Sequence, residues 1–431
     1  MRMKSKIVKL LKRPFVRNVI IISTGTLAAQ AITLFLTPVI TRLYGPEAYG
    51  LMGVFVSLLG IVTPIAALTY PIAIVLPKKE EEAQGIIRLS FYISLITSMV
   101  AVLIIIFLSE HIVKLFNIEE IESYLFLIPV AILLAGFSQI MQQWLIRTKQ
   151  FRITAKTTFV QALVMNSGKV GVGVFYPVAP VLISLSAIAP GFNAFLMYLF
   201  LKKSNEKQVF YYNKSISIKK LATNYKDFPL FRAPQVFINA ISDNLPVVLL
   251  TSFFGPASVG FYSLGRTALS IPTTLIGKSI GDVFYPRISD AGKNGENLTN
   301  LIKKTMFLLG IIAVIPFGLI IIFGPGLFSF VFGAEWRGAG EYARWIALWL
   351  FFKFIYQPCI IALPVLSAQA FHLKFTIINL MVRLLSLIIG FYVFSDDLMA
   401  IALFGISAAI LSICLIFITL QISKRFDNRL N

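Results

Sequence analysis

The chain of 431 residues is 57% hydrophobic and only 13% charged, whereas soluble globular domains carry about 25% charged residues. That balance excludes a soluble enzyme and a soluble nucleic-acid-binding module, even though the formal net charge of +20 would suggest the latter in a soluble chain. In a membrane protein, basic residues instead hold loops on the cytoplasmic side and meet anionic lipid.

The basic start, MRMKSKIVKLLKRP, runs into a long apolar segment without a small-residue cleavage site. It reads as a retained first helix, not a signal peptide. Apolar runs of roughly 20 residues, enough to cross a hydrocarbon core about 30 Å thick, then recur to the end of the chain. The expected spans are 16–40, 50–76, 89–109, 123–146, 157–176, 179–201, 228–252, 261–285, 304–323, 342–366, 375–394 and 398–421. The fold class expected is therefore an all-α polytopic membrane protein with about twelve transmembrane helices. The two cysteines, Cys359 and Cys414, lie in separate apolar segments with no metal spacing. They read as packing residues.

Orientation follows from lysines and arginines. Thirty fall at the termini and in or bordering the even-numbered connections, against four in or bordering the odd-numbered ones: Arg42, Lys114, Arg337 and Arg344. Both termini are expected in the cytoplasm. The longest cytoplasmic connection, 202–227, has room for a basic amphipathic segment along the membrane surface or for a plain solvated linker.

A repeat runs through this pattern. RLYGPEAYG at 42–50 returns as SFFGPASVG at 252–260, so Gly45 and Pro46 correspond to Gly255 and Pro256 at an offset of 210. PFVR at 14–17 opens span one and PLFR at 229–232 opens span seven. IVKLFNIEEIESYLFL at 112–127 likewise corresponds to LFSFVFGAEWRGAGEYARWIAL at 327–348. Two six-helix bundles are expected, 1–201 and 228–431, joined by 202–227, as parallel repeats around a central cavity.

The RLYGPEAYGLMGVFVSLLGIVTPI stretch, the PFVR helix start, the basic WLIRTKQFRITAK turn at 144–156 and the doubled plan carry a resemblance. With them the chain resembles Wzx-type oligosaccharide flippases of the multidrug/oligosaccharidyl-lipid/polysaccharide (MOP) exporter superfamily, over nearly its whole length. The resemblance implies a transporter, not an enzyme. Such a protein moves polyprenyl-pyrophosphate-linked oligosaccharide from the cytoplasmic to the outer leaflet of the bacterial inner membrane by rocking two lobes. It implies no cofactor, and a polysaccharide polymerase with its chain-length machinery as partners; whether a Na⁺ or H⁺ gradient or the membrane potential drives transport is left open by the resemblance. Twelve spans favour the Wzx branch over the lipid II flippases, which usually have fourteen.

Independently of family, ionisable groups inside spans are expensive and mark a pathway. Five cations lie there, Lys169, Arg266, Lys278, Lys353 and Arg383, against two acids, Asp243 and Asp282. This positive surplus calls for an anionic partner, and a pyrophosphate would serve. Lys169, with Asn166 and Thr158 near its face, and Arg383, with Thr376 and Asn379, are expected to line the lumen, and Arg266 to receive the headgroup towards the outside. Arg17 and Arg232, repeat-related near the cytoplasmic end, are read as an entry site or as anchors snorkelling to lipid phosphate. Lys353, among aromatics, is read as a lumen cation or a packed stem.

Arg232, Asn239 and Asp243 share one helical face in span seven. Asp243 with Asn239, beside Pro246, is read either as an ion-coupling site with an unwound helix or as an acid paired to Arg232 or Arg266. Lys278 and Asp282 are spaced for a local salt bridge.

Other motifs dissolve. Gly277-Lys278-Ser279 ends like a P-loop, but Pro272 stands where the first glycine belongs. Gly171 and Gly173 read as sites of close helix contact. A membrane glycan polymerase or glycosyltransferase would need a larger outer loop, and a cation/drug antiporter an acidic cavity.

Overall fold

The computed structural model describes the backbone of residues 14–204 and 217–430. Several side chains within that range, among them those of 14–23 and 271–283, lie outside the description. The described residues form helices and no strands. In chain order they are α1 (Pro14–Val62), α2 (Glu80–Phe116), α3 (Leu127–Arg147), α4 (Phe151–Gly173), α5 (Ala179–Lys203), the short α6 (Ile218–Asn224), α7 (Ala233–Phe254) and α8 (Pro256–Lys293). There follow α9 (Leu298–Phe332), α10 (Arg337–Ile355), α11 (Gln357–Ala362), α12 (Gln369–Ile389) and α13 (Asp397–Leu430).

Among the described residues, nine segments are long and apolar enough to cross a membrane. Two further facts reconcile this number with twelve spans. Helix α1 is two arms meeting at a kink at Gly45. Helices α4 and α8 are long enough, at roughly 35 and 57 Å, but α4 is too polar to qualify and part of α8 lies outside the described side chains. The chain is a polytopic membrane protein of about twelve helices.

The repeat is visible in the turns. Gly45 has φ 69°, ψ 175° and Gly255 has φ 84°, ψ 179°, a region essentially closed to residues with a Cβ. Each is followed by proline at the first position of the next helix, where a missing N–H costs nothing. Other equivalent turns also reverse through a residue of positive φ. Leu68 and Thr69 correspond to Gly295, Asn117 to Gly333, and Lys149 to Ser367. A 3₁₀ turn follows Asn117 and another follows Gly333.

The chain divides into two compact units, Met1–Ser252 and Phe253–Asn431. In this division most of α7, the seventh span, goes with the first unit, one helix beyond the joint at 202–227 read from the repeat. Both ends of this span are tied there. Asn117 Nδ2 donates to Ser252 O at 2.9 Å, Ser252 Oγ donates to Phe116 O at 3.0 Å, and Thr69 Oγ1 donates to Phe228 O at 3.1 Å.

In the first unit the second arm of α1 stops at Val62, short of the expected 76. Residues 66–76 fold as turns and a 3₁₀ segment whose Tyr70, Ala73 and Ile74 are buried against α2, α3 and α5. Pro64 and Pro71 disfavour a continued helix, and the apolarity of this stretch serves packing rather than spanning. Arg147 fastens it by donating to Ile74 O at 2.9 Å and Pro77 O at 2.8 Å. The described end of the 202–227 connection is also docked: Leu221 of α6 is 1% exposed, Tyr70 Oη donates to Ala222 O at 3.2 Å, and Tyr225 Oη donates to Glu82 at 3.1 Å. Burial, reinforced by this bond to Glu82, pushes the Tyr225 phenol up. The amphipathic segment is thus a strap on the protein, with Lys219 and Lys220 facing out.

In the second unit, Asp427 of α13 accepts from Leu298 N and Thr299 N, both at 3.0 Å, and so caps α9. An anion there satisfies two orphan donors and meets the positive end of the helix. Helices α2, α9 and α12 bury little of their apolar windows, 11, 17 and 17%. Their exposed Leu, Ile, Val and Phe side chains suit contact with hydrocarbon.

Candidate functional site

Three of the intramembrane cations make described contacts, Lys169 in the first unit and Lys353 with Arg383 in the second. In the first, Lys169 lies on α4, four residues before the helix ends at Gly173. Its amine reaches Met52 Sδ of the second arm of α1 at 3.6 Å, and among the described residues no carboxylate lies within ion-pairing distance of it. One turn back, Asn166 Nδ2 donates to Thr33 Oγ1 of the first arm at 3.1 Å. Thr158 instead bonds to its own helix at Thr154 O.

The returning loop sets this pocket. Tyr44, the residue before Gly45, donates its hydroxyl to Lys169 O at 2.7 Å. Its ring lies so close to Gly173 that a Cβ there would sit 2.6 Å from it. Gly173 therefore permits a close contact as the sequence suggested, while Gly171 faces open space. A thioether is a weak acceptor, so the ammonium is held near the end of α4 by soft and neutral groups. Burying a lone cation is expensive, and an anion brought to Lys169 would relieve that cost.

In the second unit Arg383 of α12 stacks its guanidinium over the Trp349 ring at 4.2 Å and lies 5.3 Å from that of Phe404. Lys353 of α10 also sits over Trp349, at 5.0 Å. Two cations thus share one indole, whose own N–H makes no hydrogen bond among the described residues. An aromatic face stabilises a cation without neutralising it. For Lys353, the aromatic neighbours noted in the sequence include this ring contact with Trp349. Thr376 is turned back onto His372 O and takes no part.

Helical register relates the pockets. Lys169 lies 20 residues after the positive-φ turn residue Lys149, and Arg383 16 after its counterpart Ser367. The difference of four residues is about one turn, so the two cations fall on nearly the same face. An asparagine precedes each, at i−3 (Asn166) and i−4 (Asn379).

The remaining expected residues are placed as follows. Arg232 closes a π-helical turn, Phe228–Arg232, that opens span seven, and it is exposed together with Asn239 and Asp243 on the same face. Helix α7 continues through Pro246 without the unwinding expected beside Asp243. Pro246 is buried, and packing lets a membrane helix carry such a residue unbroken. Arg266 is half-buried in α8. Asp243, Arg266, Lys353 and Arg383 are all engaged by neighbouring groups. The side chains of Arg17, Lys278 and Asp282 lie outside the described residues. No group of three or more His, Cys, Asp or Glu suited to a metal occurs among the described residues.

Sequence reasoning did not identify Met52, Tyr44, Thr33 or Phe404 as pocket partners, because they come from other helices. Trp349 carried a signal, since it stands four residues before Lys353 and so on the same face.

The chain matches the family described as "Polysaccharide biosynthesis protein" over residues 39–341, more than half its length. It is 21% identical over 360 residues to the succinoglycan biosynthesis transport protein ExoT of Rhizobium meliloti (strain 1021), covering 81% of this chain and 68% of that one. Among solved structures it is similar to an inward-facing multidrug resistance MATE family transporter of the MOP superfamily, with TM-score 0.67, 11% identity and coverage of 93% and 96%. It is also similar to the lipid II flippase MurJ in an inward closed conformation, with TM-score 0.66, 18% identity and coverage of 95% and 91%. At these identities the structures establish the fold, which is the one the sequence resemblance implied. The chain belongs to the polysaccharide biosynthesis protein family, built on the helical fold of the MOP exporters.

Proposed function

We propose that this protein is a flippase that moves polyprenyl-pyrophosphate-linked oligosaccharide units from the cytoplasmic to the outer leaflet of the bacterial inner membrane, for surface polysaccharide. The observation that carries the reading is the pair of intramembrane cations, Lys169 of α4 and Arg383 of α12, each on the fifth helix of its repeat and at nearly the same register from the turn before it. The named function of the succinoglycan relative and the fold shared with a lipid II flippase support it.

In this account both termini are cytoplasmic, and lobes 1–201 and 228–431 alternate access around the substrate with 202–227 as their joint. Arg17 and Arg232 meet the entering headgroup, Lys169 and Arg383 hold the pyrophosphate, and Arg266 receives it on the outer side. Asp243 and Asn239 form the candidate site for a coupling Na⁺ or H⁺. With the inside negative, each negative charge moved outward gains about 2.3 kcal/mol per 100 mV, so the potential assists export. The product passes to a polymerase and its chain-length machinery.

Complementation tests the reading. Expression in a bacterium that lacks its own repeat-unit flippase, but makes the cognate lipid-linked unit, is expected to restore surface polymer. Persistent accumulation of the lipid-linked unit, with the protein present in the membrane at normal abundance, would contradict it.

A further inference from the structure

At the end of α9 that leads into α10, a cleft of about 550 Å³ opens on the molecular surface. One wall is apolar, formed by Ile322, Phe323 and Leu327 of α9; the other carries Arg337, Glu341 and Arg344, successive positions on one face of α10. Gly324 and Gly340 allow the two helices to approach: a Cβ on Gly324 would stand 2.6 Å from Gly340 O and 3.3 Å from the Arg344 stem. Arg344 Nη2 donates to Ile322 O at 2.8 Å, which fixes the guanidinium across the cleft and leaves its other donors directed away from that carbonyl. Arg337 Nε stands 4.0 Å from Glu341 Oε1, a loose contact, and the Arg337 side chain is 75% exposed.

Two arginines and one glutamate leave the cleft one positive charge in excess. The apolar wall continues the lipid-facing stripe of α9, where Ile315, Leu319, Ile322 and Phe323 are 68, 49, 61 and 56% exposed. The cleft therefore joins a hydrocarbon surface to a cationic edge where a span ends. Only four basic residues lie in or beside the connections that charge counting assigns to the outer side, and two of them meet here.

We propose that this cleft is a binding site for a glycerophospholipid with a singly charged phosphodiester. Arg337 and Arg344 bond the phosphate, whose oxygens match a guanidinium fork, and an acyl chain lies along Ile322 and Phe323. A free anion would use the arginines but not the apolar wall; a neutral lipid would use the wall but leave the arginines unmatched. The site is separate from Lys169 and Arg383, so its role is to anchor or tune the second unit against the bilayer.

Native mass spectrometry of the full chain, released from micelles containing equal amounts of phosphatidylglycerol and phosphatidylcholine, tests this. Wild type is expected to retain one phosphatidylglycerol in preference to phosphatidylcholine. The double variant R337Q/R344Q is expected to lose about tenfold of that preference, the scale of one or two charge-assisted bonds. Phe323→Ser, at an exposed position, is expected to weaken retention of both lipids, and K424Q/R425Q, removing two exposed cations of α13, to change nothing. Inorganic phosphate in millimolar excess is expected not to displace the lipid. Equal retention by wild type and R337Q/R344Q, or full displacement by inorganic phosphate, would overturn the proposal.

Discussion

The two repeats use the same turn to hold the same helix, but by different chemistry. In the first unit Tyr44, just before Gly45, bonds to Lys169 O and lies over Gly173 at the end of α4. In the second, Phe254 precedes Gly255 and contacts Phe391 at the end of span eleven, with ring centroids 5.5 Å apart. Phe253 stacks on the same ring at 4.3 Å. The backbone of the turn is preserved, while one copy fastens by a hydrogen bond and the other by aromatic contact. The cations diverge in step: Lys169 is held by a thioether and neutral groups, Arg383 by rings. Duplication fixed where a cation sits on the fifth helix of each repeat, and the neighbouring side chains then decided how it is held.

The strongest way to break this comparison is to test whether the turns are equivalent. Gly45→Ala and Gly255→Ala each force a Cβ into a glycine-only region, and each is expected to cost about 1–3 kcal/mol, read as a lowered midpoint in fluorescence-detected thermal unfolding. Equal losses support a shared structural role; a loss at Gly45 alone would show that the second turn is dispensable. A smaller effect is expected from Trp349→Leu, which removes the ring under Arg383. A double-mutant cycle with Arg383→Met should give a coupling of about 0.5–2 kcal/mol, and no coupling would mean that the guanidinium is held elsewhere. Tyr44→Phe makes the first turn chemically like the second. It should cost about 1 kcal/mol, one neutral hydrogen bond, and leave the ring over Gly173.

The smallest effect belongs to the exposed pair between α8 and the turn that follows it. Arg287 donates to both carboxylate oxygens of Glu296, at 3.0 and 2.6 Å. These bonds hold the Glu296 carboxyl below the usual carboxylate range and raise Arg287 further. A lowered carboxylate pKa stabilises the fold above its unfolded value and loses that contribution as pH falls through the folded one. Wild type and Glu296→Gln should therefore differ slightly in thermal midpoint near neutral pH and converge in acid. A gap that persists in acid would contradict the assignment.

How much of this was legible in the sequence depends on whether the signal was local. The spans were legible because a run of apolar residues is its own evidence. The turns were legible because Gly45-Pro46 and Gly255-Pro256 carry both a conformational demand and a spacing. Residues 66–76 were misread as helix because apolarity does not distinguish a span from a buried turn; Pro64, Pro71 and the positive φ of Leu68 and Thr69 decide against helix. At the site, the cations were visible as charges in apolar runs. Their partners were not, since Met52 and Phe404 are ordinary apolar residues until the fold brings them to Lys169 and Arg383. The polarity of α4 is what keeps it below the composition of an ordinary span.

The central proposal is that Lys169 and Arg383 each contact the pyrophosphate in the course of transport. The most direct measurement is translocation of a polyprenyl-pyrophosphate-linked saccharide in proteoliposomes of wild type, Lys169→Met, Arg383→Met and the double variant, at matched reconstitution and unfolding midpoint. The account predicts that each single change lowers the rate roughly ten- to hundredfold, the 1.5–3 kcal/mol of a hydrogen bond to a charged group, and that the double variant is slower than either. Wild-type rates in both single variants would contradict it.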